Sequence, residues 1–111
     1  MNINKKILEL EKITGIPVQQ DFYEGKSDKW ITFVNVLEKG ELYAEDEVKA
    51  ELIVIQIHLF VPIECNYNAV KKKIKDYLEK EDFYDLEIQV FKEENKRHII
   101  FECDYTEMRG E

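Results

Sequence analysis

The most regular pattern of hydrophobic and polar positions in this sequence lies between residues 50 and 61. Every second residue from Ile53 to Val61 is aliphatic, and the alternate positions are apolar at the ends and polar at Gln56 and His58. A period of two is the signature of a β-strand, and β-branched and aromatic residues favour that conformation. The stretch is therefore predicted to be a central strand. Its aliphatic face is expected to meet helices, and its mixed face could meet another subunit.

Two other stretches have the spacing of amphipathic helices. Apolar residues recur at intervals of three and four from Ile3 to Ile13, and Gly15 supplies a left-handed stop. A second helix is predicted to begin at Asn66 or Asn68 and to run to about Lys80. We interpret both apolar stripes as surfaces that pack on a sheet, rather than as helices that bind a partner.

Four more strands complete the predicted sheet. Residues 18–23 suit an edge strand, because Pro17 at its entrance cannot donate a hydrogen bond. Residues 30–38 are apolar on both faces and suit an interior strand, in which alternation places Leu37 on the same face as Ile31 and Phe33. Residues 86–91 and 97–105 are predicted to form a β-hairpin that turns at Glu93-Glu94-Asn95-Lys96.

These elements predict an α+β fold in a single domain that spans residues 1–111. The order is α-β-β-β-α-β-β, with a mainly antiparallel five-stranded sheet, an antiparallel meander of the first three strands, and two helices on one face. No helix remains to cover the other face of the sheet. An apolar face without cover predicts association with a partner. The apolar residues expected there are Trp30, Val34, Leu52, Val54 and Phe60.

Residues 39–47 join the second and third strands and are predicted to form a long loop. Long loops on rigid strands often carry function. The apolar residues of this segment would be unusual on the surface of a monomer, so the loop is either a docking tip or a flap that covers a sheet edge. The segment contains Leu42 and Tyr43 among the acids Glu41, Glu45, Asp46 and Glu47.

Composition excludes several classes of function. The formal net charge of −8 argues against a nucleic-acid partner, because proteins that bind the phosphate backbone carry a basic face. The apolar stretch at residues 50–61 is too short to cross a membrane as a helix. The two cysteines, Cys65 and Cys103, are interpreted as reduced thiols of a cytoplasmic protein, and no signal peptide is visible.

No motif for chemistry emerges from the sequence. There is no glycine-rich phosphate loop, no nucleophile elbow, and no pair of cysteines or histidines at metal-ligand spacing. His58 and His98 are expected on polar strand faces as surface histidines, with Glu102 or Asp104 able to approach one of them. We therefore predict a protein that is not an enzyme, with no catalytic, cofactor-binding or metal-binding residues.

Several stretches of the chain together resemble the tail-completion, or tail-terminator-like, proteins of tailed bacteriophages and related phage-derived particles. The resemblance covers most of the chain in element order, roughly residues 3–105. The stretches that carry it are Trp30-Ile31-Thr32-Phe33, Tyr43-Ala44-Glu45-Asp46-Glu47, Ile55-Gln56-Ile57-His58-Leu59-Phe60, Asn66-Tyr67-Asn68-Ala69-Val70-Lys71-Lys72-Lys73-Ile74 and Arg97-His98-Ile99-Ile100-Phe101-Glu102.

The resemblance implies a structural role in a phage tail. Family members form a ring, typically a hexamer, on the head-proximal end of the tail tube, where they stop polymerisation and join the tube to the head connector. The implied partners are the tail tube protein, the connector and other copies of the chain, with neither a membrane nor a specific nucleic acid. The implied location is the bacterial cytoplasm during assembly and then the virion tail. The alternatives are a neck or connector subunit, or a cytoplasmic protein-binding adaptor.

The contacts to partners are expected at two places. One is the acidic segment, through Glu41, Leu42, Tyr43, Glu45 and Asp46, and the other is the sheet face that carries Gln56 and His58. Both places combine polar groups with large apolar ones, as expected of a surface that must be soluble before assembly.

Overall fold

The computed structural model describes residues 2–44 and 47–108, which form an α+β fold with one five-stranded sheet. The predicted fold class is confirmed at this level. The elements in chain order are α1 (Ile3–Leu8), α2 (Leu10–Thr14), β1 (Val18–Gln20), β2 (Trp30–Ala44), β3 (Glu47–Pro62), α3 (Asn68–Lys80), β4 (Tyr84–Glu93) and β5 (Lys96–Met108).

The first predicted helix consists of two short helical segments, α1 and α2, which meet at Glu9. The side chain of Asn2 caps α1 by accepting a hydrogen bond from the backbone N–H of Lys5. Gly15, with φ of 73°, ends α2 in the left-handed conformation that glycine adopts without strain. The order of elements therefore has one more helical segment than predicted.

The sheet is mixed, and the prediction of a mainly antiparallel sheet is wrong. The strand order is β1-β2-β3-β5-β4; β1 pairs with β2 in parallel, and the other neighbours are antiparallel. The first three strands are therefore not an antiparallel meander. The physical reason is the connection at residues 21–29. It returns the chain to the end of the sheet where β1 begins, so β2 runs in the same direction as β1. There the N–H of Ile31 donates to the carbonyl of Pro17, 2.8 Å away.

Strands β2 and β3 stay paired far beyond the predicted end of the second strand. Their register continues to Ala44 opposite Glu47, so residues 39–44 and 47, which were predicted to lie in a loop, belong to paired strands instead. The hairpin makes the molecule long, with extents of 54 × 23 × 23 Å. Its radius of gyration, 15.2 Å, exceeds the value of about 13 Å expected for a compact domain of about this length.

Three of the predicted partner residues, Glu41, Leu42 and Tyr43, lie in the described part of this hairpin. Glu45 and Asp46 lie outside the described residues, and only the backbone of Glu41, Leu42 and Tyr43 is described. Their role in docking stays a prediction. On the other side of β3, β5 extends to Met108 opposite Ala50, three residues beyond the predicted end of the last strand at residue 105.

A β-bulge in β2 changes the face on which its later residues lie. Asn35 is opposite Ile55, but Leu37 is opposite Val54, so Val36 is the extra residue. Leu37 therefore lies on the opposite face from Ile31 and Phe33, and its side chain is 48% exposed. The prediction that these three residues share one face is wrong for Leu37, because a bulge shifts the alternation by one position.

The core lies between the helices and the aliphatic face of β3, as predicted. Its members come from every helix and from β1, β2, β3 and β5, and they form one cluster. Burial of this apolar surface is the main stabilising contribution to the fold. The side chains with no exposed area are Ile7, Leu10, Ile31, Ile55, Ile57, Leu59, Ile74, Leu78, Ile99, Phe101 and Cys103.

Candidate docking face

The side of the sheet opposite the helices, here called the open face, combines apolar, aromatic and polar side chains. Within the described residues no helix packs on it, and most of its side chains are partly exposed. The strand registers define its members. They include Trp30, Thr32, Val34, Leu37, Leu52, Val54, Gln56, His58, Phe60, Glu87, Gln89, Phe91, His98, Ile100 and Glu102.

A row of aromatic rings crosses the open face from one side to the other. Register neighbours on β2, β3, β5 and β4 supply Trp30, Phe60, His98 and Phe91, and Tyr23 extends the row beyond Trp30. Consecutive ring centroids are 5.1, 5.2, 4.1 and 6.2 Å apart. The first three pairs are nearly parallel, with interplanar angles of 7°, 24° and 18°.

The parallel rings determine what a partner can contact. Rings that stack on one another along the sheet use their faces within the protein. A docking partner therefore meets mainly ring edges, so the row is an apolar ridge and not a platform for stacking a flat ligand. Lys96 flanks this ridge, with its Nζ 4.9 Å from the centroid of Trp30 and 2.7 Å from the carbonyl oxygen of Asp28, to which it donates.

A chain of hydrogen-bonded polar groups runs beside the aromatic row. Glu93 Oε1 lies 2.7 Å from His98 Nδ1, and His98 Nε2 lies 2.6 Å from His58 Nδ1. His58 Nε2 lies 3.1 Å from Gln56 Oε1, and Gln56 Nε2 donates to Glu102 Oε2 at 2.7 Å. Two carboxylates therefore end a chain that contains two imidazoles and one amide. We call these five residues the polar chain.

The environment of His58 disfavours its charged form. Burial lowers the pKa of His58 below its ordinary value, and the neighbouring His98 lowers it further. Glu93 acts in the opposite direction but does not reverse the shift. The prediction of a surface histidine is thus too simple, since His58 is half-buried and held between two polar partners.

A shallow hollow adjoins the polar chain on the side of β4. Glu87 and Gln89 line it together with Gln56, Ile100 and Glu102, and register places the two glutamates opposite each other. No group of three or more His, Cys, Asp or Glu side chains in residues 2–44 and 47–108 is arranged to hold a metal ion. The hollow therefore adds acidic character to the open face without a metal site.

Two edges of the sheet also expose apolar side chains. At one edge, β4 pairs with β5 alone and leaves Tyr84, Val90 and Phe91 between 38% and 45% exposed. At the other edge, β1 covers β2 only as far as Phe33, and the bulge residue Val36 is exposed beyond it. Edge strands present unpaired backbone groups that can bind another strand.

The structure brings some of the sequence-predicted residues together. Gln56 and His58 are adjacent on the open face, and each takes part in the polar chain. Glu102, one of the two acids expected to approach a histidine, accepts from Gln56, and Glu93, which the sequence places in a turn, reaches His98. The signal that could have found Glu93 is the register of the predicted β4–β5 hairpin, in which Phe91 is opposite His98 and Glu93 is opposite Lys96.

The fold and this face define a class: a small α+β domain with one sheet face covered by helices and the other open. No known family model matches the chain, and a search of curated proteins finds no match either. Among the residues that the structure describes, no helix has the length and apolar character needed to cross a membrane.

Proposed function

We propose that this protein is a structural component of a phage-type tail. In this proposal it caps the head-proximal end of the tail tube, ends the polymerisation of the tube and joins it to the head connector. The open face carries the proposal, because no helix in the described residues covers its partly exposed apolar and aromatic side chains. The resemblance of the sequence to tail-terminator-like proteins suggests the type of particle.

The composition of the open face supports binding to a protein. Val54 and Phe60 supply partly exposed apolar area, while Gln56 and His58 beside them keep the face compatible with water. Apolar groups at the centre with polar groups among them are usual for interfaces whose components are soluble before assembly. The tube end is the proposed occupant of this face.

The two apolar edges support the assembly of copies into a ring. The exposed residues of β4 and those of β2 lie toward opposite lateral edges of the sheet, and the two sets differ in their side chains. Contact between unlike surfaces of identical chains is head-to-tail, and it produces a closed ring when the rotation between neighbours divides a full turn. A ring that matches the tube on one side only would block the next addition of tube subunits.

The long β2–β3 hairpin supports contact with a neighbour beyond the core. It extends past the part of the sheet that the helices cover, to Ala44 and Glu47. A paired hairpin projects with a more defined shape than a loop, because its backbone groups bond to each other. We assign it to contacts with the adjacent copy or with the tube.

The experiment is to mix the purified protein with polymerising tube subunit and to image the tube ends by electron microscopy. The expected result is a ring at one end and a shorter distribution of tube lengths. Val54→Arg places a charge on the open face and should abolish the rings. Ala69→Arg places the same side chain on exposed α3 and should leave them intact.

Three results would contradict the proposal. Bare tube ends with the wild-type protein would refute it, as would rings that persist with Val54→Arg. A one-to-one complex with the tube subunit and no ring would favour the adaptor.

For the hairpin, Leu42→Ser with Tyr43→Ser should impair head joining in a complementation assay, and unchanged joining would exclude it as a docking element.

A further inference from the structure

The hydrogen bonds of the polar chain allow only one arrangement of protons on its histidines. Glu102 accepts from the Gln56 amide nitrogen, so the Gln56 oxygen faces His58, whose Nε2 must carry a hydrogen to bond to it. At the other end, the Glu93 carboxylate accepts from His98, whose Nδ1 must therefore carry a hydrogen. Both outer ring nitrogens are thus N–H donors.

The two inner nitrogens are then left facing each other. His58 Nδ1 and His98 Nε2 are 2.6 Å apart, which is a hydrogen-bond distance and too short for two unshared lone pairs or for two N–H groups. One hydrogen between them satisfies both. Counting the hydrogens on four ring nitrogens gives three, which is one more than two neutral imidazoles carry.

We propose that His58 and His98 share a single proton, and that this proton holds the open face in its docking arrangement. The pair carries one positive charge, balanced by Glu93. A second proton would place two N–H groups against each other and so separate the rings, whereas removal of one proton would break either the shared hydrogen bond or the bond from His58 Nε2 to Gln56. The shared proton is inferred from the hydrogen-bond geometry alone, while its effect on docking rests on the proposed function.

The surroundings of the pair are consistent with one charge but not with two. The charged groups around it are Glu93 on β4, Glu102 through Gln56, and Glu87 across the hollow, while Lys96 lies at the far side of Trp30. The neighbours on β2, Trp30 and Thr32, are uncharged. Among the acidic residues named here Glu93 is the one bonded to an imidazole, and it already balances the single charge of the pair.

Separation of the rings would alter the aromatic row as well. His98 stacks on Phe60 with centroids 4.1 Å apart, and Phe60 stacks on Trp30. His58 lies 6.4 Å from Phe60 by the same measure. Displacement of either imidazole therefore changes the ridge that a partner would meet. Acidification is expected to weaken docking without unfolding the domain, because the core on the other face contains no histidine.

The test is long-range ¹H–¹⁵N correlation of the histidine rings in the full chain, followed from pH 8 to pH 4.5. The expected result near neutral pH is protonated outer nitrogens and a common, intermediate shift for the two inner ones. His98→Gln should raise the midpoint of His58 titration, since the neighbouring charge is removed. Glu93→Gln should weaken the sharing, since its amide can no longer balance the charge.

Two results would overturn the shared proton: independent titration of the two rings in the wild type, or an unchanged His58 midpoint in His98→Gln. Imaging of tubes at the same pH values separates this inference from the proposed function. A common chemical shift for the two inner ring nitrogens, together with bare tube ends at every pH, would support the shared proton and refute the capping role. Rings at tube ends whose number does not change with pH would refute the control of docking by the proton.

Discussion

The bulge at Val36 leads to a sharp prediction about two leucine-sized side chains in neighbouring strands. Without the bulge, the register that sets Trp30 opposite Phe60 would place Leu37 opposite Ile53 on the helix-covered face. With the bulge, Leu37 is opposite Val54 and 48% exposed, while Ile53 is 2% exposed. Truncation of each to alanine therefore tests which register the protein adopts.

The expected magnitudes differ several-fold. Ile53→Ala removes a buried side chain and leaves a cavity, so it should lower the free energy of unfolding by about 2–5 kcal/mol. Leu37→Ala removes a half-exposed side chain and should lower it by less than about 1 kcal/mol. For a chain of 111 residues, the unfolding entropy at the melting temperature is about 0.23 kcal/mol per K. The expected drops in Tm are thus about 9–21 °C and less than about 4 °C.

The assay is urea unfolding followed by circular dichroism, with thermal melts as a second measurement. Val36→Ala is the matched control, because Val36 is also 48% exposed and lies beside Leu37. The dependence of the free energy on urea should be similar in all variants, so that midpoints compare stability. A loss for Leu37→Ala as large as that for Ile53→Ala would show that Leu37 is in the core, and would refute the bulge.

Three further predictions concern single residues. Because the pKa of His58 is lowered on folding, the unfolded chain binds more protons than the folded chain once the pH falls below about 6.5, so wild-type stability should decline on acidification below that pH. The decline in urea midpoint should be smaller in His58→Gln, and an equal decline would contradict the shift. Burial raises the pKa of the Cys103 thiol to about 12 and leaves the side chain no exposed area. Iodoacetamide at pH 8 should therefore label Cys65 in the native protein and Cys103 only in denaturant, which mass spectrometry of peptides can check. Gly15→Ala should lower the free energy of unfolding by about 1 kcal/mol, because alanine is strained at a φ of 73°. An added Cβ would meet no atom within 4 Å, so backbone strain is the whole expected effect, and an unchanged urea midpoint would contradict it.

The candidate site could be predicted only in part. Alternation placed Gln56, His58 and Phe60 together on one face of β3, and the structure agrees. It could not show that His98 lies diagonally across from His58, since that proximity depends on the register between β3 and β5, which are separated by a helix and another strand. The approach of Glu93 to His98 depends instead on the register within the local β4–β5 hairpin, which alternation alone does not define.

The hairpin shows a different limit of sequence reasoning. Acidic residues and Gly40 in residues 39–47 indicated a loop by composition, yet the backbone of this segment is paired up to Ala44 and Glu47. Strand propensity depends strongly on context, and hydrogen bonding to a long neighbouring strand can override an unfavourable composition. The bulge at Val36 likewise has no glycine or proline to mark it.

Local periodicity in the sequence was enough to identify much of the core. The aliphatic alternation from Ile53 to Val61 and the helical spacing of Ile3, Ile7 and Leu10 are local periodicities, and the corresponding residues form the core. Only the tertiary structure decided the parallel pairing of β1, the shift of Leu37 to the open face and the meeting of His58 with His98. Periodicity is a property of one strand, whereas direction, register and bulges arise from hydrogen bonds between strands distant in the chain.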